Sequence, residues 1–225
     1  MSSTIPQIEI GNSPGTLFNV SLSFWLPPNT PFGNLQLKHH KIITRLDRVN
    51  ERLQYIYEIH PQLLTPTLKI NNEYVSYGYS IEELIFHLRR ATDEIISMYY
   101  LLSNFERTGS YTNSIKIDSI GGLLHDQHTK ENPPFDKYLT LLEQLNEVSN
   151  AFKHSFVNSD CNLIGKDEPC VYAFSLKKNK LSSDNNSGIQ PYGLSLCYIV
   201  EEYNKFYIEI NSWLKGFSER HRDGN

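Results

Sequence analysis

The chain has 225 residues and a formal net charge of -4 at pH 7, which argues against a protein whose whole surface binds nucleic acid. We therefore expect no DNA partner. Hydrophobic residues make up 39% of the chain and charged residues 20%, which is typical of a soluble globular protein long enough to bury a core, and we predict a single domain over residues 1–225.

The N-terminal residues lack the basic and apolar segments of a signal peptide, and no apolar run is long enough to cross a bilayer. We therefore expect a cytoplasmic protein with no membrane partner. Cys161, Cys170 and Cys197 are odd in number and lack paired spacing, which argues against a disulfide framework or a zinc site. The HDQH stretch at 125–128 lacks the further ligands of a closed metal site, so we predict neither a metal nor a cofactor.

The first third of the chain predicts a strand, a helix and a second strand. Apolar and polar side chains alternate over residues 17–26, as in a half-buried strand. Residues 35–60 carry apolar side chains every seven residues, with others between them, which predicts a one-sided helix that ends before Pro61. Residues 68–76 are predicted as a second strand with an Asn-Asn turn.

Two long helices are predicted next. The helix over residues 80–107 is expected to begin at Ser80, whose hydroxyl can cap it while Glu83 reaches back. Another helix is predicted over residues 134–156, after two prolines placed where a missing backbone N–H is tolerated. Its apolar stripe is expected to include Phe152 and Phe156.

The last part of the chain predicts a strand over residues 171–178 and a helix over residues 194–221, separated by a polar loop at 181–188. Each of the four helices is apolar on one side and cannot bury that side alone. The predicted fold class is therefore mainly α: an antiparallel four-helix bundle with a small antiparallel β-sheet of peripheral strands.

The octapeptide SNAFKHSF, residues 149–156, places Asn150 and His154 on one face of the third helix, with Lys153 between them. One interpretation is a solvated polar face whose histidine lies at a helix C-terminus, where the helix dipole favours cations. Another comes from a resemblance: NEVSNAFKHSF resembles the R-N-x-x-x-H motif of the HEPN superfamily of helical bundles. Asn150 and His154 match its second and last positions, whereas Ser149 stands in place of the arginine.

In catalytic members of that superfamily, the resemblance implies metal-independent RNA cleavage, in which a ribose 2'-hydroxyl attacks the adjacent phosphate. His154 would then be the general base or acid, because imidazole titrates nearest to neutral pH. Asn150 would orient the imidazole or the phosphate. Lys153 would stabilise the developing charge, although its ammonium lacks the bidentate fork of an arginine.

Sites in this superfamily are often assembled across a dimer, so a basic residue of another helix could compensate for the missing arginine. Arg89 and Arg90 on the second helix are the candidates. An alternative interpretation is that both are exposed and bond to Asp93 and Glu94 at helical spacing.

Three functional hypotheses stay open. The first is a non-catalytic interaction module, or an RNA-associated one, with the site degenerate and the chain a homodimer. The second is a metal-independent endoribonuclease that uses His154 with Asn150 and Lys153. The third is a small-molecule-binding protein with a cleft between helices and sheet. The expected partners are a second copy of the chain and either RNA or another protein.

Overall fold

The computed structural model describes residues 5–10, 24–64, 72–125, 132–157, 167–176 and 188–222. These residues are mainly helical, with one antiparallel sheet of two strands, which confirms the predicted fold class at that coarse level. In chain order the elements are α1 Leu35–Leu63, α2 Asn72–Thr108, α3 Ile120–Leu124, α4 Pro133–Asp136, α5 Leu139–His154, β1 Cys170–Leu176, β2 Ile189–Ser195 and α6 Leu196–His221.

The four long helices, α1, α2, α5 and α6, each bury one face in a shared hydrophobic core. Helices α1 and α2 run antiparallel along each other, because Arg45 pairs with Glu94 whereas Arg48, further along α1, pairs with Glu83. Helix α5 packs against α2 on one side and against β1 on another. Burial of these apolar stripes supplies the main stabilisation, at roughly 25 cal/mol per Å² removed from water.

Helix α2 begins at Asn72, so the predicted strand over residues 68–76 is wrong for 72–76, while 68–71 lie outside the described residues. The Ser80 hydroxyl lies inside the helix and donates to the Ser76 carbonyl instead of capping a helix start. A tertiary contact favours the helix here: the buried Tyr77 hydroxyl lies 2.8 Å from Nδ1 of His60 on α1.

Helix α1 continues through Pro61 to Leu63 instead of ending at residue 60. Proline removes its own N–H donor, and only two helical residues follow it. The predicted strand over residues 17–26 is wrong for residues 24–26, and 17–23 lie outside the described residues. The N–H groups of Trp25 and Leu26 donate to the side chains of Ser218 and Gln36, not to a neighbouring strand.

The helix predicted over residues 134–156 is divided into α4 and α5. The break at Tyr138 places its hydroxyl 2.8 Å from Glu209 of α6. Helix α5 ends at His154, since Ser155 is extended and its hydroxyl accepts the N–H of Leu176 from β1. Phe156 was predicted in the apolar stripe, but its side chain is 78% exposed, so that prediction is wrong.

The sheet consists of β1 and β2, paired antiparallel from Cys170 opposite Ser195 to Leu176 opposite Ile189. Strand β1 corresponds to the strand predicted over residues 171–178, of which 177–178 lie outside the described residues. Strand β2 was not predicted, because proline and glycine interrupt its alternation. The helix predicted from residue 194 begins at Leu196, after β2 has ended at Ser195.

Candidate functional site

The three residues predicted for catalysis lie on the last turns of α5. Asn150 is half-buried, whereas Lys153 and His154 are exposed. A residue three or four positions on lies on the same side of a helix, so Lys153 and His154 both lie next to Asn150 on the surface of α5. Asn146, one turn before Asn150, extends this polar face towards the helix start.

Ser149, at the position of the motif's arginine, faces the core. Its side chain is 0% exposed, and its hydroxyl has no hydrogen-bond partner among the described residues. Leu145 and Val148, which precede Ser149 by four residues and by one, are also buried. An arginine at this position would place a charge in the core, so packing explains why α5 does not supply its own guanidinium.

A guanidinium reaches the same face from α2. Arg89 donates from Nη2 to Oδ1 of Asn146 at 3.3 Å, and its Nε is buried without a partner among the described residues. Further along, the ammonium of Lys153 lies 5.5 Å from the centroid of the Phe86 ring, and that ring contacts Phe152 edge-on at 6.5 Å. We call Arg89, Asn146, Asn150, Lys153 and His154 the α2–α5 cluster.

The interpretation of the two arginines of α2 as exposed residues bonded at helical spacing holds for Arg90 but not for Arg89. Arg90 is exposed and donates to Glu94 at 3.2 Å, at helical spacing. Arg89 instead forms its hydrogen bond across the helix interface to Asn146, which the sequence did not indicate. The difference follows from position, because consecutive helix residues point about 100° apart and only Arg89 faces α5.

The α2–α5 cluster has a cationic environment. Burial and the nearby charges of Arg89 and Arg90 lower the pKa of the Lys153 ammonium, although Asp93 opposes the shift. Burial raises the pKa of the Asp93 carboxyl, even though its Oδ1 accepts the Ile120 N–H at 2.8 Å and cations lie nearby. Lys153 and Arg89 therefore lie near one partly desolvated carboxylate, that of Asp93, and a second carboxylate, that of Glu147, lies 3.5 Å from Nδ2 of Asn146 at the edge of the cluster.

A second charged group lies on the opposite flank of α2. Glu83 accepts from Arg48 Nε at 3.1 Å, and Nη1 of Arg52 and Nε2 of His87 lie 3.5 Å and 3.4 Å from its oxygens. Arg48 also bonds to Glu51. We call these five residues the α1–α2 cluster. Burial alone would raise the pKa of Glu83, but the hydrogen bond from Arg48 and the charge of Arg52 lower it.

Sequence reasoning did not identify the α1–α2 cluster, although arginines at 45, 48 and 52 recur at helical spacing. His39 and His40, adjacent on α1, differ in exposure. His39 is buried with Nε2 3.1 Å from Oδ1 of Asn211, and burial lowers its pKa to about 4 despite that hydrogen bond. His40 is exposed.

The described residues offer little support for a metal site at the HDQH stretch. Of the HDQH stretch, His125 is exposed after the end of α3, and residues 126–128 lie outside the described residues. Within the described ranges, no group of three or more His, Cys, Asp or Glu side chains is arranged to hold a metal ion. In that same part of the chain, no helix combines the length and the apolar character needed to cross a membrane.

Comparisons with known proteins add no relative: no family model, no curated protein and no solved structure matches the chain. The resemblance to the HEPN superfamily therefore stays a prediction, carried by the residues of α5.

Proposed function

We propose that the chain is a HEPN-like antiparallel four-helix bundle protein that binds RNA through the α2–α5 cluster without cleaving it. The observation that carries this proposal is the 3.3 Å hydrogen bond from Arg89 to Asn146, on the face that also carries Lys153. It brings a guanidinium from α2 to the polar face of α5, where Ser149 supplies none. Cytoplasmic RNA and a second copy of the chain are the partners in this proposal.

The chemistry of the cluster suits an RNA phosphate. The guanidinium of Arg89 offers a planar set of donors, and Lys153 adds a point charge next to it. The amides of Asn146 and Asn150 can donate to phosphate or ribose oxygens. Neutralising phosphates releases counterions from the RNA, so each such contact gains free energy at low salt.

An exposed aromatic ring favours RNA over an isolated phosphate. Phe156 follows His154 by two residues, and its side chain is 78% exposed. Unstacked bases of single-stranded RNA stack on aromatic side chains, with about 1–3 kcal/mol per base as the typical gain. A cationic face followed by an exposed ring is the combination that single-strand binding proteins use.

The absence of cleavage follows from the chemistry that the cluster contains. Phosphodiester cleavage by a ribose 2'-hydroxyl needs one group to take the hydroxyl proton and another to protonate the leaving 5'-oxygen. His154 is the one imidazole in the α2–α5 cluster. Arg89 can bind a phosphate, but its guanidinium does not give up a proton in proteins and so cannot protonate the leaving oxygen.

The second candidate function is a metal-independent endoribonuclease. The exposure of His154, one turn from Asn150 and next to Lys153, favours it. His154 would take the proton of the 2'-hydroxyl, the 2'-oxygen would bond to phosphorus to give a cyclic phosphate, and the 5'-oxygen would leave with a proton from water. A second copy in a homodimer could supply the missing cationic group.

One experiment tests binding. We would titrate fluorescent single-stranded RNA of about ten nucleotides with the wild-type chain and with Arg89→Gln/Lys153→Gln. The double variant should bind at least about tenfold more weakly, because two phosphate contacts are lost. The matched control, Arg48→Gln/Arg52→Gln, removes the same charge from the α1–α2 cluster and should change affinity less than about twofold.

A parallel incubation tests cleavage. The same RNA is kept with wild type, His154→Ala and the exposed control His40→Ala, in EDTA, and its ends are analysed. Intact RNA with all three supports the binding module. Cyclic-phosphate products that only His154→Ala fails to make would establish the endoribonuclease instead. In the binding titration, equal RNA affinity of the two double variants would reject the α2–α5 cluster as the RNA site.

A further inference from the structure

The N-terminal segment, residues 5–10, lies in a groove between α1 and α6, and we call it the strap. The side-chain amide of Asn50 on α1 binds the backbone of Ile8 in the strap through both its oxygen and its nitrogen. The Ile8 N–H donates to Oδ1 of Asn50 at 2.7 Å, and Nδ2 of Asn50 donates to the Ile8 carbonyl at 3.0 Å. A side-chain amide thus takes the place that a neighbouring β-strand would occupy.

Asn204 of α6 binds the strap from the other side in the same way. The Glu9 N–H donates to Oδ1 of Asn204 at 2.8 Å, and Nδ2 of Asn204 donates to the Gln7 carbonyl at 2.9 Å. Two asparagines on two helices therefore make four hydrogen bonds to the backbone of three consecutive strap residues. In strand addition, the backbone of a neighbouring strand makes such hydrogen bonds; here, side-chain amides make them.

One side chain of the strap, that of Ile8, is buried in the groove. Ile8 is 2% exposed and belongs to the hydrophobic core, whereas Glu9 is exposed. Backbone hydrogen bonds place few demands on sequence, so the buried isoleucine supplies the specificity. The groove therefore has the properties of a peptide-binding site whose occupant, in this chain, is its own N-terminal segment.

We propose that this groove is an exchangeable peptide-binding site, and that it takes the strap of a second copy of the chain. The fit of that occupant is already seen, because an identical segment makes these four hydrogen bonds within one chain. Exchange between two copies keeps every contact and changes only which chain provides it. Residues 11–23, which follow the strap, are 13 residues long and can span up to about 45 Å when extended.

This inference does not rest on the proposed RNA binding, because the strap contacts α1 and α6 whereas the α2–α5 cluster lies on the other two long helices. It also gives the expected homodimer a definite physical route. Each copy would supply a strap to the partner's Asn50 and Asn204, so the interface is reciprocal, as two-fold symmetry requires.

The test uses a fluorescein-labelled peptide of residues 4–12 and full-length chains. Wild type should bind the peptide weakly, since its own strap competes at high effective concentration. Ile8→Asp, whose own strap is disabled, should bind at least about tenfold more tightly. A peptide with aspartate in place of Ile8 should not bind, and adding Asn50→Ala and Asn204→Ala to the Ile8→Asp chain should abolish binding.

Ile8→Ala serves as a milder variant if Ile8→Asp does not fold, as judged by circular dichroism, and the same ranking is expected for it. Wild type refolded at high concentration should contain dimer by analytical ultracentrifugation, and the Ile8 variants should contain none. Failure of the peptide to bind a folded Ile8 variant overturns the exchangeable site. Binding of the peptide without any wild-type dimer overturns the second copy as occupant and leaves a segment of another protein.

Discussion

Helix α2 separates two charged clusters that use the same residue types in different proportions. On the α1 side, Arg48 and Arg52 are balanced by Glu51 and Glu83, each within bonding distance of an arginine. On the α5 side, Arg89 and Lys153 lie near one partly buried carboxylate, Asp93, which bonds to a backbone N–H. Among the described residues, salt bridges pair the arginines of the first cluster, whereas none pairs Arg89 or Lys153 of the second.

The two carboxylates report this difference through opposite pKa shifts. The arginines lower the pKa of Glu83 against the effect of burial, whereas burial raises the pKa of Asp93 despite the neighbouring cations. An ion pair that lowers a carboxyl pKa stabilises the fold, and a carboxylate held with a raised pKa costs stability at neutral pH. This difference agrees with the proposal of RNA binding on the α5 side of α2, which rests on the contact of Arg89 with Asn146.

The largest effect is expected from restoring the motif's arginine. Ser149→Arg should lower the free energy of unfolding by about 3–5 kcal/mol, because the new charge would be buried without a partner. Urea denaturation measures it. Thr140→Arg, at an exposed position of the same helix, should change stability by less than about 0.5 kcal/mol. A stable Ser149→Arg protein with gained RNA affinity would show that α2 need not supply the guanidinium.

The salt dependence of RNA binding should separate the two clusters next. For Arg89→Gln/Lys153→Gln, the slope of log K against log salt should be smaller by about 1.4, since each phosphate contact on a single strand contributes about 0.7. For Arg48→Gln/Arg52→Gln the slope should equal that of wild type. Fluorescence titrations at several salt concentrations measure both slopes, and equal reductions would mean that RNA contacts both flanks of α2.

The pH dependence of stability should have opposite signs at the two carboxylates. Glu83 has a lowered pKa in the folded state, so its contribution is present above its unfolded pKa and lost as the pH falls through the folded pKa. At neutral pH, Glu83→Gln should cost about 0.5–1 kcal/mol, a figure already reduced for solvent screening. That cost should vanish in acid, as measured by urea unfolding over a pH series.

Asp93→Asn should behave in the opposite way. Because the folded-state pKa of Asp93 is raised, ionisation costs stability as the pH rises from its unfolded pKa through its folded pKa. The asparagine keeps an oxygen for the Ile120 N–H without the charge, so the variant should be at least as stable as wild type at neutral pH. A clear loss of stability there would show that the carboxylate is structural, like Glu83.

The smallest effect is expected from the ring beneath Lys153. Phe86→Leu keeps apolar contact with Phe152 but removes a cation–π interaction worth about 0.5 kcal/mol at an exposed site, so RNA affinity should fall about twofold. In a Lys153→Gln background, the same substitution should have no effect, and this double-mutant cycle is the control. An equal loss in both backgrounds would place the effect of Phe86 in packing.

The fold was predictable where local pattern and tertiary packing agree. The seven-residue spacing of α1 and the stripe of α6 were read from the sequence, because long one-sided helices leave a strong periodic signal. The start of α2 was missed, since the contact that favours the helix there is made by Tyr77, whose hydroxyl meets His60 at the end of α1. Strand β2 was missed because its hydrogen bonds to β1, and not its alternation, make it a strand.

The candidate site was predictable only in part. Spacing along α5 placed Asn150, Lys153 and His154 on one side of a helix, and the helix is present. Sequence could name Arg89 and Arg90 as candidates but could not choose between them, because one residue of rotation decides which side chain faces α5. The strap was not identified at all, since its partners Asn50 and Asn204 lie 42 and 195 residues from the strap residues that they bind.

The sequence by itself determined the periodic elements: mainly helical structure, one-sided apolar stripes, and a polar face at the end of α5. Only the tertiary structure decided which polar groups meet, namely Arg89 with Asn146, Glu83 with the arginines of α1, and the strap with two distant asparagines. The physical reason is the sequence separation of the residues that interact. Periodic burial is set by neighbours a few residues apart, whereas ion pairs and hydrogen bonds between elements depend on how the helices rotate and register against one another.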